Sequence, residues 1–157
     1  MIRRLQTDDG GQTAAIWLDT NIRAHHFISP QYWQEQFATV KDLLLQAEVY
    51  VYEGEHHALS GFIGMQGDYI AGIFVRDGAQ SGGIGKLLLD YVKKDRARLC
   101  LHVYQKNIRA VRFYRREGFS ISAERTDTNT GEKEYEMIWQ TGRNNGKDEY
   151  HDKSHIF

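Results

Sequence analysis

The residue types that could do chemistry concentrate in one stretch, Ile73-Phe74-Val75-Arg76-Asp77-Gly78-Ala79-Gln80-Ser81-Gly82-Gly83-Ile84-Gly85-Lys86. An apolar run leads into a glycine-dense loop. The loop opens an amphipathic helix marked by Ile84, Leu88, Tyr91 and Val92. The first amides of a helix have no partner within it, and the helix dipole adds partial positive charge there. Glycines let backbone approach an anion with no Cβ in the way. The stretch reads as a pyrophosphate cradle, to which Lys86 could add a cation. Two phosphate loops are excluded at specific positions. Gly85-Lys86 is followed by Leu87, so the magnesium-binding hydroxyl of a Walker A loop is missing. Position 88 is Leu where a dinucleotide fingerprint needs a third glycine.

Other reactive types are scattered. His25 and His26 are of the residue type whose unperturbed pKa suits proton traffic. His56-His57 read as a hairpin turn, and Cys100 as a buried strand residue. No His/Cys/Asp/Glu set has metal-ligand spacing.

The elements that must position these groups follow from periodicity. A short strand over 2–6 and a turn-rich break precede a helix over 12 to about 23. Ser29-Pro30 starts a second helix, because Ser caps and Pro suits the first helical position. Trp33, Phe37, Val40, Leu44 and Ala47 carry that helix for about 17 residues. The period then changes to two. Val49 to Glu53, Leu59 to Gln66 and Tyr69 to Val75 read as strands, the last two joined at Gly67-Asp68. The third is almost wholly apolar, which predicts a central strand covered on both faces. A helix from Ile84, a half-buried strand over 99–104, a short helix from Ile108 stopped by Gly118, and two further strands complete the order. The result is a mixed α/β domain ordered β-α-α-β-β-β-α-β-α-β-β over 1–140. Residues 141–157 read as a polar, loosely attached tail.

Composition bounds the function. The 157 residues carry a net charge of −1, which argues against a nucleic-acid or anionic-membrane surface. One cysteine excludes an intrachain disulfide. No apolar run approaches the roughly 20 residues of a membrane span, so the expected setting is cytoplasmic with no membrane partner. Of 15 glycines, eight lie between Gly61 and Gly85.

Gln80-x-x-Gly83-x-Gly85 resembles the Gln/Arg-x-x-Gly-x-Gly/Ala motif of the GNAT superfamily of Gcn5-related N-acetyltransferases. Downstream, Asn107-Ile108-Arg109-Ala110-Val111-Arg112-Phe113-Tyr114-Arg115-Arg116-Glu117-Gly118-Phe119 resembles the family's Asn-x-x-Ala-x-x-Phe-Tyr-x-x-x-Gly-Phe signature. One helix and one strand separate the two, as in the family. Ala24-His25-His26-Phe27-Ile28 and Val103-Tyr104-Gln105-Lys106-Asn107 are similar to small bacterial members.

The resemblance implies the GNAT fold, a central mixed and mostly antiparallel sheet flanked by helices. It implies acetyl-CoA as co-substrate, no metal, and direct attack by a primary amine. By position, the backbone of Phe74 and Val75 would bond the pantetheine arm. The amides of Gln80, Ser81, Gly82, Gly83, Ile84, Gly85 and Lys86 would hold the pyrophosphate. Asn107 would bond the cofactor near its cysteamine end, and Tyr114 would protonate the departing thiolate. The base is open between Asp68, at the start of the central strand, a histidine, and ordered water. His25 and His26 fall in the loop that borders the acceptor site in this fold. Tyr32 lies off the helix stripe and could face the acceptor. One of Arg109, Arg112, Arg115 and Arg116 could reach the adenosine 3′-phosphate, and position alone does not choose among them.

The expected function is N-acetyl transfer to a protein lysine, an N-terminus or a small amine, by a monomer or homodimer. Two rivals are an acyl-CoA-sensing module without catalysis and a toxin that acetylates aminoacyl-tRNA. Tyr114 argues against the first, and the near-neutral charge against the second.

Overall fold

The computed structural model describes residues 1–80 and 82–141. Ser81 and all of the expected tail except Thr141 lie outside the described residues. The chain runs β1 (Ile2–Arg4), α1 (Gly10–Ala24), α2 (Pro30–Glu35), α3 (Phe37–Gln46), β2 (Glu48–Glu53), β3 (Leu59–Gln66) and β4 (Tyr69–Val75). It continues through α4 (Ile84–Lys93), β5 (Arg98–Tyr104), α5 (Ile108–Arg116), β6 (Ser120–Thr126) and β7 (Lys133–Gln140). Single 3₁₀ turns occupy Thr7–Asp9 and Glu55–His57.

The expected element order holds with one difference. The helix that starts at Ser29-Pro30 divides at Gln36. Gln36 Nε2 donates to the Tyr32 carbonyl at 3.0 Å, which is the acceptor its own backbone N–H would use in a continuous helix. That N–H goes instead to the Trp33 carbonyl at 3.1 Å, tightening the turn. The start is as expected: Ser29 Oγ accepts from the Gln31 amide at 3.3 Å, with Pro30 in the first turn.

Seven strands form one sheet in the order β1-β2-β3-β4-β5-β7-β6. Every neighbouring pair is antiparallel except β4 with β5. On one face α4 and α5 bury Leu88, Leu89, Val92 and Tyr114 against Ile63, Ile70, Leu99, Leu101 and Met137. On the other, α1–α3 bury Ala14, Trp17, Trp33, Val40 and Leu44 against Val49, Val51 and Phe62. Each such apolar side chain contributes about 1.5–3 kcal/mol by leaving water, so both layers are firmly fixed to the sheet.

The middle of the sheet is where it opens. The β3–β4 register shifts between Gly64↔Gly72 and Met65↔Ile70, leaving Ala71 as an extra residue that bends β4. β4 and β5 then pair only at Tyr69↔Cys100 and Ile70↔Leu101. This corrects the expectation that β4 is covered along its length: Tyr69 and Ile70 are buried, while 71–75 are half-buried because β5 has diverged. β5 is the more enclosed strand, buried at every position except His102, since it lies between β4 and β7. Cys100 is buried as expected. His56 and His57 form the expected turn, both in the left-handed region at φ 57° and 61°. Among the described residues no helix is long and apolar enough to cross a membrane, and no group of His, Cys, Asp or Glu could hold a metal.

Candidate active site

The divergence of β4 from β5 leaves a cavity of about 900 Å³ walled by α1, the end of β4, the start of α4 and α5. Ile73, Phe74 and Val75 form its floor. Phe74 stacks on Phe62 at 4.8 Å, and it passes so close to Gly72 that a Cβ there would collide with its ring. Position 72 is glycine for that contact.

Gly83 turns the loop into α4 with φ 77°, a conformation that disfavours other residues. It offers no side-chain cap, and the first helical bond is Leu87 N to Gly83 O at 3.1 Å. The amides of Ile84, Gly85 and Lys86 therefore begin the helix without a helical acceptor. Gly83, Gly85, Gln80 and Lys86 line the cavity. Gly82 is exposed outside the lining, and the Ile84 side chain turns into the core. Gln80 spends its carboxamide locally: Nε2 donates to the Val75 carbonyl at 3.0 Å, and Oε1 accepts from Arg109 at 3.0 Å.

Five cationic side chains, Arg23, Lys86, Lys106, Arg109 and Arg116, line the cavity against two carboxylates, Asp77 and Glu117. The excess of positive charge suits a polyanionic ligand. Of the four arginines on α5, Arg109 and Arg116 reach the lining.

α5 presents the acid candidate. Its N-cap is Asn107, whose Oδ1 accepts from the Ala110 amide at 3.3 Å. Seven positions on, Tyr114 borders the cavity with its ring between Phe113 at 5.2 Å and Phe119 at 5.5 Å. Burial pushes its phenol pKa well above the usual value, so it keeps its proton through the neutral range.

His25 enters from the C-terminus of α1. Its ring stacks on Trp33 at 5.3 Å and meets Tyr104 edge-on at 5.1 Å. Desolvation lowers its pKa to about 4, so it is neutral at physiological pH. His26 is exposed on Phe27, and Tyr32 packs edge-on against Trp33 at 4.9 Å; neither lines the cavity.

Asp68 is the clear departure. It lies at the β3–β4 turn, with its side chain 57% exposed and 3.9 Å from Arg96. The cavity is at the opposite end of β4, about 20 Å away at strand rise, and Asp68 is absent from its lining. The sequence expectation names a residue just before β4, at the end of the strand away from the cavity. It also missed Thr20, Asn21, Arg23 and Ala24, which form one wall. Their spacing places them on one helical face, a signal that was present.

Comparison with known proteins bears on this geometry. Residues 46–121 match the family model described as an acetyltransferase (GNAT) domain. The chain is 38% identical over 123 residues to the peptidyl-lysine N-acetyltransferase YiaC of Escherichia coli K12, covering 77% of this chain and 84% of that protein. It is 26% identical over 137 residues to the peptidyl-lysine N-acetyltransferase YjaB of the same strain, covering 87% and 92%. The solution structure of apo YjaB from Escherichia coli superposes with a TM-score of 0.80 at 24% identity, over 88% of this chain and 96% of that one. A Bacillus anthracis protein described as a putative streptothricin acetyltransferase, solved with acetyl coenzyme A, superposes with a TM-score of 0.55 at 22% identity, over 60% of this chain and 62% of that one. Sequence and fold agree, and the chain belongs to the GNAT family of acetyltransferases.

Proposed function

We propose that this enzyme transfers an acetyl group from acetyl-CoA to the side-chain amine of a protein lysine. One observation carries the reading: the β4 edge, the open start of α4 and the Tyr114 phenol border a single, positively lined cavity. A linear thioester with a pyrophosphate would meet Tyr114 at its sulfur, the β4 edge along its arm and the start of α4 at its pyrophosphate.

The residues fit the co-substrate. The backbone of Phe74 and Val75 holds the pantetheine arm in the manner of an added strand. The amides of Ile84, Gly85 and Lys86, without a helical acceptor at the start of α4, would take the pyrophosphate, whereas the Gly82 amide already donates to the Ala79 carbonyl at 3.3 Å. Asn107 bonds the cofactor beside its cysteamine. Bound acetyl-CoA supplies an acyl carbon activated as a thioester. As the N–C bond forms and the C–S bond breaks, Tyr114 gives its proton to sulfur. Asp68 is remote, and His25 is a weak base because burial lowers its pKa to about 4 and its Nε2 faces Asn107, so we assign the acceptor's proton to solvent water.

Lysine is favoured by the names of the two curated relatives. The same reading places the enzyme in the cytoplasm as a monomer or homodimer, with no nucleic-acid partner. The test is calorimetric titration with acetyl-CoA, followed by turnover on lysine peptides, N-terminal peptides and polyamines. Lysine-peptide acetylation supports the reading. Turnover confined to small amines reassigns the acceptor, and failure to bind acetyl-CoA overturns the whole.

A further inference from the structure

His25 and Asn107 are 82 residues apart in sequence and in contact at 3.2 Å, Nε2 to Nδ2. The contact fixes chemistry at both ends. Asn107 Oδ1 accepts from the Ala110 amide, so the group facing His25 is the amide NH₂, a donor. His25 Nε2 must then accept, which makes the ring the neutral Nδ1–H tautomer. Nδ1 is buried and makes no hydrogen bond. The ring itself cannot turn freely, being stacked on Trp33 and abutted by Phe27 and Tyr104. A rigid acceptor on α1 therefore grips a cap residue on α5, and both residues line the cavity.

We propose that His25 is a positioning residue, holding the Asn107 carboxamide in the orientation that caps α5 and leaves its second N–H for the cavity. Through that cap it sets the start of the helix that carries Tyr114. His25 is thus a strut between the acceptor-side loop and the cofactor side, in place of a proton carrier. The inference rests on the acetyl-CoA reading for its ligand, and on the contact alone for its structural part.

The test separates ring from acceptor. His25→Phe keeps the stack and removes Nε2. His25→Gln loses the ring and keeps an acceptor oxygen. Hydrogen exchange of the Ala110 amide and calorimetric affinity for acetyl-CoA are measured on each, with imidazole ¹⁵N shifts on the wild type. Expected for His25→Phe are faster Ala110 exchange and weaker acetyl-CoA binding, each by about threefold to tenfold, the worth of one hydrogen bond. His25→Gln recovers part of both. Unchanged exchange and affinity in His25→Phe overturn the proposal. If that variant does not fold, an Nε2–H tautomer in the wild-type shifts does so independently. Wild-type protein that fails to bind acetyl-CoA removes the function proposed above, and the exchange and tautomer measurements still judge the strut.

Discussion

Lys86 Nζ lies 2.9 Å from Glu117 Oε1, so the cation at the start of α4 is answered by a carboxylate at the end of α5. Asp90 adds a second carboxylate at 3.5 Å. Lys86 is exposed, and these contacts hold it away from a bound anion as much as they order it. Glu117→Gln releases the ammonium and removes one negative charge from the cavity wall. Acetyl-CoA then binds about two- to fivefold tighter at low salt, and the gain fades as ionic strength rises. Titration at two salt concentrations checks this, and weaker binding by the variant would contradict it.

Tyr114 is the residue on which turnover depends. Burial raises its pKa, which keeps the proton available at neutral pH and makes the phenolate inaccessible as a base. Tyr114→Phe keeps the ring contacts to Phe113 and Phe119 and removes only the hydroxyl. It lowers kcat by about 100-fold or more, the range of general acid catalysis, with acetyl-CoA affinity nearly unchanged. A thiol-release assay with a parallel titration measures both. Wild-type kcat in the variant would sink the assigned acid.

How much of this was legible in the sequence differs by element, for physical reasons. The loop from Val75 to Lys86 and the helix from Ile108 were readable because glycine placement, capping and 3.6-residue periodicity are local. The opening of β4 from β5 was not, because Tyr69↔Cys100 and Ile70↔Leu101 are long-range pairings that no window contains. Asp68 was misjudged on that account: it lies just before β4, and the cavity is at the other end, where the sheet splays. The division at Gln36 was hidden because a side-chain amide replaces a backbone bond without disturbing the apolar stripe. His25 stood out by type, and its burial against Trp33 reversed the role its type suggests.

Gly72 supports the floor of the cavity by having no side chain. A Cβ there meets the ring of Phe74, which is stacked on Phe62. Gly72→Ala forces Phe74 off that stack and into the cavity. The cost is about 1–3 kcal/mol, as for other overpacked sites, and acetyl-CoA affinity falls with it. Gly72→Ala combined with Phe74→Leu relieves the clash and recovers much of the stability. Urea denaturation of the two variants decides the matter: equal loss in both would mean that the ring is not the obstacle.

His25 also makes the stability of the fold depend on pH in a window of its own. Its pKa falls from 6.5 in the unfolded chain to about 4 in the fold, chiefly through desolvation. The unfolded state therefore binds the extra proton first as pH drops. The contribution is fully present above about pH 6.5 and is lost progressively down to about pH 4, with a full size of about 3 kcal/mol. Asp9, whose carboxylate is held below its ordinary range by Arg3, acts in the same direction and lower, beneath its unfolded value of 3.8. Phenylalanine cannot titrate, so the difference in unfolding free energy between wild type and His25→Phe should change by up to that amount between pH 7.5 and 4.5. Denaturation curves at four pH values in that range supply the comparison. A difference that stays flat across them would show that His25 titrates in the fold as it does in water.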